Sequence, residues 1–399
     1  MTLSRDIQIL FVTRGVRTFA YGSLAVIIAL YLSARGFDDK GIGLLFTLTL
    51  LGDAVLSLGV SSIADRVGRK RLLVLSCALV VMAGLVFAFT GSSILLAFAA
   101  IVGTISPSGA EVGPFLSLEQ AAISQEVSSQ QRTNVFAWYQ VTGSLSNAFG
   151  ALTAGWFAKY LQTVGSTNLE SYRAVIIVYA ALGVVLAVLF SRLSKGVEAP
   201  KKANSSQIVG LHRSRTAVIR LSSLFALDSF GSGLVVQSLI AYWLHRRFNA
   251  DVAALGGIFF FVNVFSGISA LASARVAKRF GLINTMVWTH IPANILLILF
   301  PLMPTLETSV AILLARFLTS QMDVPARMSY TMAIVDPDER SAASGFTNNA
   351  KLIGSSLGPL ISGLIGLNAI PFMLGGTLKI IYDLSLYRLF IAVKPPEEQ

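Results

Sequence analysis

The stretch ADRVGRKR, residues 64–71, gathers four cations and one carboxylate within eight positions. The chain around it has 399 residues, of which only 13% are charged and 54% are hydrophobic, and its mean hydropathy is +0.71. Soluble domains are on average roughly a quarter charged, and an apolar excess of this size would leave large apolar patches in water. The charged stretch therefore indicates a loop between apolar segments, and those segments decide the fold.

The apolar segments are long enough to cross a membrane. A helix that rises ~1.5 Å per residue needs about 20 residues to cross ~30 Å of hydrocarbon. Segments of this kind predict twelve spans, at 9–33, 41–64, 72–91, 93–124, 134–160, 172–192, 217–245, 252–275, 282–303, 307–332, 342–367 and 371–391. The sequence therefore predicts an all-α polytopic membrane protein, with an N-terminal six-helix bundle at 1–193, a cytoplasmic basic linker at 194–216 and a C-terminal six-helix bundle at 217–399.

The basic residues of the predicted loops are unevenly distributed between the two sides of the membrane. Most of the 31 Lys and Arg residues fall on the side that holds residues 64–71 and the linker. Positive residues favour the cytoplasmic side, where they meet anionic headgroups. We therefore expect a multi-pass protein of the cell (inner) membrane with both termini in the cytoplasm, and the net charge of +11 does not indicate nucleic-acid binding.

The residues that serve most enzymes and metal sites are few in this chain. Cys77 is the only cysteine, which excludes an intrachain disulfide and a cysteine-rich metal site. The three histidines, His212, His245 and His290, lack the spacing of metal ligands, and the sequence contains no phosphate-binding glycine loop. We expect no metal, no cofactor and no enzymatic activity.

The two halves of the chain resemble each other. AKRFG at 277–281 is similar to ADRVG at 64–68, and Gly150 and Gly155 correspond to Gly358 and Gly363. In transporters built from repeats, the substrate site lies near the middle of the membrane where the repeats meet.

The extended stretch SSIADRVGRKR, residues 61–71, resembles the signature loop between helices two and three of the major facilitator superfamily, although Ser61 replaces the usual opening glycine. The residues that match this signature are Asp65, Arg66, Gly68, Arg69 and Lys70. The resemblance implies two pseudo-symmetric six-helix bundles and transport by alternating access. It also implies a conformational lock, in which this loop and the start of helix eleven close the cytoplasmic side. The alternative for Asp65 is that it caps its own loop.

Six acidic and six basic residues fall inside the predicted spans. Each would cost roughly 2.5–3.5 kcal/mol on insertion scales if it were unpaired at the membrane centre, so pairing or a watered cavity is expected. Lys379 and Asp383 are four residues apart and share a helix face, which predicts a buried ion pair. Asp323 and Arg327 have the same spacing, with Pro325 between them.

Two predicted spans are interrupted at corresponding positions of the two halves. Span four contains SPSGAEVGPFLSLEQ at 106–120, and span ten contains Pro325. Interrupted helices in such positions indicate a binding site, and helices one, four, seven and ten line the cavity in the resembled family. Desolvated carboxylates can exchange protons near neutral pH, so the proton-coupling candidates are Glu111, Glu119, Asp228 and Asp53. The substrate-cavity candidates are Arg17, Tyr21, Phe115, Trp138, Tyr139, Arg316, Asp323, Arg327 and Tyr330, although each aromatic residue is more often a packing residue.

These features predict a secondary active transporter. A cavity with mixed charge and many aromatic residues favours proton-coupled efflux of a small organic or drug-like solute. Helix five reads SNAFGALTAG at 146–155 and has Ala151 where antiporters of the family carry a proline, so the direction is weakly determined. The alternatives are a carrier that imports or exchanges an organic anion bound by buried arginines, and a membrane receptor that transports nothing. The expected partners are a small solute, protons and the lipid bilayer, and the chain is expected to be a monomer.

Overall fold

The computed structural model of the chain describes residues 4–109, 114–127, 129–198, 213–336 and 339–393. Within these ranges the side chains of 61, 62, 65, 129–134, 195 and 340–342 are not described. The described ranges are helical apart from short connections, and they contain no strand.

The helices follow the predicted spans. In chain order they are α1 (Arg5–Ala34), α2 (Asp39–Val67), α3 (Arg69–Phe89), α4 (Ser93–Val102), α5 (Phe115–Glu126), α6 (Ser129–Thr163), α7 (Asn168–Ser191), α8 (Arg215–Gly233), α9 (Gln237–Phe248), α10 (Val252–Phe280), α11 (Leu282–Leu299), α12 (Leu306–Thr319), α13 (Asp323–Ala333), α14 (Arg340–Ile365) and α15 (Ile370–Phe390). In the described part of the chain, seven helical segments are apolar and long enough to cross a membrane. The predicted all-α fold with twelve spans is confirmed.

Spans four, seven and ten each consist of two helices with a break between them. In span four, Pro107 and Pro114 lie between α4 and α5, where the missing N–H groups prevent a continuous helix. In span seven, Gly231 and Gly233 precede the break between α8 and α9. Pro325 lies in the first turn of α13, a position where proline is tolerated. The breaks in spans four and ten were predicted from these prolines, whereas the break in span seven was not.

The described chain forms two compact units. Unit 1 is Met1–Ser205 with Gln237–Phe260, and unit 2 is Ser206–Val236 with Phe261–Gln399. The predicted bundles at 1–193 and 217–399 stay a prediction, and the segment 237–260 groups with unit 1. The reason is visible at Ser238 at the start of α9, whose hydroxyl donates to the carbonyl of Ala25 at 2.7 Å and to that of Pro107 at 2.6 Å.

Glycines allow one close helix pair in each unit. In unit 1, a Cβ on Gly150 of α6 would collide with the carbonyl oxygen of Phe19 on α1. In unit 2, a Cβ on Gly358 of α14 would collide with the backbone of Gly233 on α8. Small residues permit such approach between membrane helices. The corresponding glycines of the two halves therefore serve as packing contacts.

Glycine also forms the turn between α2 and α3 and the turn between α10 and α11. Gly68 has φ +104° and Gly281 has φ +84°, a region that glycine adopts without a steric penalty. Each of the two residues ends one helix and begins the next. The signature loop and its second copy thus both turn at a glycine with a positive φ.

Candidate functional site

Unit 1 contains a buried ion cluster around Glu119 on α5. Arg17 on α1 donates to both carboxylate oxygens, at 2.8 Å from Nη1 and 2.7 Å from Nη2. The hydroxyl of Thr13 donates to the same carboxylate at 3.0 Å, and the hydroxyl of Tyr139 on α6 donates to it as well. All four side chains are buried. We call Thr13, Arg17, Glu119 and Tyr139 the Glu119 cluster.

Aromatic rings and a second arginine surround the Glu119 cluster. The guanidinium of Arg17 lies 4.8 Å from the centre of the Phe115 ring, and that of Arg14 lies 4.6 Å from the centre of the Tyr139 ring. Arg14 also donates to the side-chain oxygen of Gln140 at 3.1 Å. Bidentate bonds and cation–π contacts are strong ways to hold a buried arginine. The cluster is therefore a tightly bonded link between α1, α5 and α6.

Unit 2 contains a larger cluster around Asp228 on α8. Lys379 on α15 donates to Asp228 Oδ1 at 2.6 Å, and Arg327 on α13 donates to Asp228 Oδ2 at 3.0 Å. Arg327 also bonds Asp323, one turn earlier on α13. The ring of His290 on α11 places Nε2 4.0 Å from Asp228 Oδ1. One buried carboxylate thus has three basic side chains from three other helices around it.

The second nitrogen of His290 faces another carboxylate. Its Nδ1 lies 2.9 Å from Asp383 Oδ1, and the amide of Asn294 donates to Asp383 Oδ2 at 3.0 Å. His290, Asn294 and Asp383 are all buried. The imidazole therefore lies between two buried carboxylates, those of Asp228 and Asp383.

The spacing of metal ligands, which was the criterion for the three histidines, gives no indication of the position of His290. A usable signal was the repeat of polar side chains in HIPAN, where His290 and Asn294 are four residues apart in an otherwise apolar helix. In the described part of the chain, no group of three or more His, Cys, Asp or Glu residues is suited to hold a metal ion.

The predicted direct pair of Lys379 and Asp383 is replaced by two contacts with other helices. The two residues share a face of α15, but Lys379 bonds Asp228 on α8 whereas Asp383 bonds His290 on α11. Spacing within a helix shows which side chains are neighbours, but it does not show which helices pack against that face. The predicted pair of Asp323 and Arg327 is present and extends to Asp228.

Two further cations of unit 2 have no acidic partner among the described residues. Arg316 on α12 is 8% exposed, and its buried Nε lacks a hydrogen-bond partner. Lys351 on α14 is half-buried and forms no ion pair with any described residue. The charge of Asp228 acts on both of them. The charged residues of unit 2 that we call the Asp228 cluster are Asp228, His290, Arg316, Asp323, Arg327, Lys351, Lys379 and Asp383.

The other predicted site residues lie elsewhere or outside the described chain. Glu111 falls in 110–113 and is outside the described residues. Asp53 is buried on α2, where the hydroxyl of Ser57 lies 3.4 Å from its carboxylate, and Tyr21 is buried on α1. Trp138 on α6 is 62% exposed.

Tyr330, a predicted substrate-cavity residue, is buried on α13. Its hydroxyl donates to the carbonyl oxygens of Phe390 and Val393, at 3.3 and 3.0 Å. Its ring belongs to a buried apolar core of unit 2 that includes Phe225, Met286 and Tyr382. Tyr330 thus ties α13 to the end of α15, and its role in a substrate cavity stays a prediction.

The residues of the predicted lock contact the segment that follows span six. The side chain of Asp65 is outside the described part, and Arg66 is exposed. The carboxylate of Glu198 accepts the backbone N–H groups of Arg69 at 2.6 Å and Lys70 at 3.3 Å. A carboxylate at this place stabilises the first turn of α3 through its free N–H groups and the helix dipole. The sequence did not indicate Glu198, and the lock with helix eleven stays a prediction.

Known proteins resemble this chain in sequence and in fold. Residues 10–359 match the sequence family Major Facilitator Superfamily. An uncharacterized membrane protein of Saccharomyces cerevisiae is 30% identical over 426 residues, which cover 98% of this chain and 95% of that protein.

Similar solved structures include three transporters with different named solutes. The nucleoside transporter NupG has a TM-score of 0.76 at 14% identity, covering 97% of this chain and 99% of that one. The inward-open xylose transporter XylE from E. coli has a TM-score of 0.73 at 15% identity, covering 98% of both chains. The human organic anion transporter TETRAN has a TM-score of 0.63 at 17% identity, covering 96% and 99%. Together with the family match, these similarities show that the chain is a multi-pass membrane transporter of the Major Facilitator Superfamily and not an enzyme.

Proposed function

We propose that this transporter couples the movement of a small organic solute to the movement of protons, and that the Asp228 cluster is the coupling site. The observation that carries the proposal is the position of His290, with Nε2 4.0 Å from Asp228 and Nδ1 2.9 Å from Asp383. Imidazole is the side chain whose ordinary titration lies nearest to physiological pH. A proton can pass between the two carboxylates through the ring.

Protonation at this place would change the contacts between helices. If Asp228 accepts a proton, the negative charge that pairs with both Lys379 and Arg327 is lost. The ion pairs that connect α8 to α13 and to α15 are then lost as well. A ligand shifts a conformational equilibrium only through different interactions with the two states, and the loss of two buried ion pairs is such a difference. The charged and titratable groups beside His290 in unit 2 are Asp228, Asp383 and Tyr382. Asp228 in turn bonds Lys379 and Arg327, and Arg327 bonds Asp323.

The Glu119 cluster is the weaker candidate for coupling. Glu119 is one of the proton-coupling candidates that the sequence predicts, but its charge is matched directly by Arg17, and three side chains bond its two oxygens. No histidine or second carboxylate bonds it among the described residues. We propose that this cluster holds α1 to α5 while protonation changes occur in unit 2.

Export of a small organic or drug-like solute stays the proposed direction, on the basis of the sequence. The similar structures are named as transporters of nucleosides, of xylose and of organic anions, so the same fold serves solutes of different charge. The second candidate function is a carrier that imports or exchanges an organic anion, which is favoured by Arg316 and its lack of an acidic partner in the described chain.

The coupling proposal is tested with the full chain in liposomes that enclose a pH-sensitive dye. Uridine, D-xylose, benzoate and ethidium serve as neutral, anionic and cationic probes, and both proton flux and probe flux are recorded. We expect transport of at least one probe to be accompanied by proton flux. We expect Asp228→Asn and His290→Gln to abolish that proton flux. Asp251→Asn, an exposed carboxylate outside the clusters, is the matched control. Probe flux without proton flux, or unchanged flux in both variants, contradicts the proposal.

The proposed orientation, with both termini in the cytoplasm, has a separate test. Cys77 is buried, so introduced cysteines can be labelled over a low background. Lys40 and Arg71 are exposed at opposite ends of the second span. With an impermeant maleimide on intact cells, we expect Lys40→Cys to be labelled and Arg71→Cys to be protected. The reverse pattern would invert the orientation. Light scattering in detergent would test the proposed monomer.

A further inference from the structure

We propose that the transported solute carries a negatively charged group, a carboxylate or a phosphate, and that Arg316 and Lys351 of unit 2 bind it. The inference rests on the transport function proposed above only in taking the bound anion to be the transported solute. It depends on two cations, their burial, their depth in the membrane and the charge balance of the Asp228 cluster.

Arg316 is a nine-tenths buried cation whose hydrogen-bonding capacity is not used by the described protein. It is 8% exposed, its Nε has no partner, and it forms no ion pair with a described carboxylate. Its guanidinium lies 4.6 Å from the centre of the Phe317 ring. A guanidinium held against an aromatic face keeps its planar set of N–H donors ready for a bidentate acceptor, and carboxylates and phosphates have that geometry.

Lys351 provides a second charge at the same depth. Arg316 lies about 15 Å along α12 from its first residue, and Lys351 about 16 Å along α14, at ~1.5 Å per residue. Both positions are close to the middle of a hydrocarbon layer that is about 30 Å thick. Lys351 is half-buried, so a solute can reach its ammonium group without the cluster coming apart. Substrate sites of repeat-built transporters lie at this depth.

The charge balance of unit 2 favours one bound negative charge. The Asp228 cluster contains four Lys and Arg residues, Arg316, Arg327, Lys351 and Lys379, against three carboxylates, Asp228, Asp323 and Asp383. The carboxylates are already bonded to Lys379, Arg327 and His290. Buried charges in the membrane pair with an opposite charge or face a watered path. A bound anionic group supplies the missing charge.

The test measures binding to the purified full chain in detergent, without any transport step. The probes are four compounds with one ring and different charge: benzoate, phenyl phosphate, benzamide and benzylamine. Affinity is obtained from the dependence of the unfolding temperature on probe concentration, since a ligand of the folded state stabilises it. We expect benzoate or phenyl phosphate to bind, and benzamide and benzylamine not to bind.

Variants assign the binding to the two cations. Hydrogen bonds to charged groups are strong enough that Arg316→Gln should weaken anion binding about tenfold or more, and Lys351→Gln similarly. Arg316→Lys keeps the charge without the planar donors, so we expect intermediate affinity, and it serves if Arg316→Gln does not fold. Arg279→Gln, at an exposed cation near the end of α10, should bind as the wild type does.

The outcomes separate this inference from the coupling proposal. Equal binding of benzoate and benzamide, no binding of either anion, or wild-type affinity in all variants of Arg316 and Lys351 overturns the anion site. Binding that depends on Arg316, without proton flux in liposomes, supports the anion site and contradicts the coupling. Proton flux driven by uridine, D-xylose or ethidium, with no anion binding, supports the coupling and contradicts the anion site.

Discussion

The Glu119 cluster of unit 1 and the Asp228 cluster of unit 2 occupy similar places in their units, but their charges are exchanged. In unit 1 the first helix contributes the cation, Arg17, and the second half of span four contributes the carboxylate, Glu119. In unit 2 the first helix contributes the carboxylate, Asp228, and the second half of span ten contributes the cation, Arg327. Corresponding helices of the two units therefore provide the paired charges, but with opposite signs.

The two clusters also differ in how completely their groups are bonded. Glu119 is held by Arg17, Thr13 and Tyr139 within a small set of side chains. Around Asp228 there are more cations than carboxylates, and a histidine lies between two acids. A fully bonded set resists change, whereas a set with a titratable ring and unused cations can respond to a proton or an anion. We therefore expect a proton or an anion to change the contacts of the Asp228 cluster in unit 2, and the Glu119 cluster in unit 1 to stay bonded.

The largest expected effect is on stability when the Glu119 cluster is broken. Glu119→Gln leaves Arg17 buried without its counter-charge, and removal of one partner of a buried pair costs about 3–5 kcal/mol of unfolding free energy. The double variant Arg17→Gln with Glu119→Gln should lose less than the sum of the single variants, because the residues are directly bonded. Unfolding in detergent measures all three. If the loss of unfolding free energy in the double variant equalled the sum of the single losses, Arg17 and Glu119 would not stabilise each other. The Glu119 cluster would then not be the more completely bonded of the two.

The contrast was only partly predictable from the sequence. The spans follow from the length of the apolar runs, and the breaks in spans four and ten follow from prolines that remove N–H groups. Arg17, Glu119, Asp228 and Arg327 were identified because charges inside apolar spans are costly.

The partners of these charges could not be predicted, because they lie on other helices. Lys379 and Asp383 share a face of α15, but only the packing of α8 and α11 decides that they bond Asp228 and His290. The same holds for Glu198, which contacts the first turn of α3 although more than a hundred residues separate them. Periodicity describes one helix at a time, and such contacts depend on how several helices meet.

Two buried tyrosines offer a matched test of the difference in bonding. The hydroxyl of Tyr139 donates to Glu119, whereas that of Tyr382, beside the Asp228 cluster, has no hydrogen-bond partner in the described chain. Tyr139→Phe removes a hydrogen bond to a charged group, which should cost about 1.5–3 kcal/mol of unfolding free energy. Tyr382→Phe should leave the unfolding free energy nearly unchanged. Equal losses in the two variants would show that the clusters are bonded to a similar degree.

A smaller effect is expected at the glycine turns, where the two units are alike. Gly68→Ala and Gly281→Ala place a Cβ at φ +104° and +84°, at a cost of about 1–2 kcal/mol. The cost should be greater at Gly68, since its Cβ would lie 3.2 Å from the carboxylate of Glu198. Gly59→Ala is the control, because no atom of the described residues lies within 4 Å of a Cβ there. Unfolding midpoints would test the order, and a greater loss at Gly281 would contradict it.

The smallest effect is expected at an exposed ion pair of unit 1, which extends the comparison from buried to surface charges. Lys159 and Asp251 lie 3.1 Å apart, with side chains that are 42% and 47% exposed. Exposed pairs contribute about 0.2–1 kcal/mol, so Lys159→Gln should be nearly silent. Asp251→Ala should cost more, because the carboxylate also accepts the backbone N–H of Ala254 at 2.8 Å at the start of α10 and alanine has no acceptor for it.

The pH dependence gives the sign of this surface effect. The backbone N–H of Ala254, and then Lys159, hold the pKa of Asp251 below its ordinary value. A carboxyl group with a lowered pKa stabilises the folded state above its unfolded pKa, and it loses that contribution as the pH falls through the folded one. The difference in unfolding temperature between the wild type and Asp251→Asn should therefore be present at pH 7 and shrink once the pH is below about 4. A difference that grew on acidification would mean that the carboxylate destabilises the fold, and exposed and buried carboxylates of unit 1 would then differ in sign as well as in size.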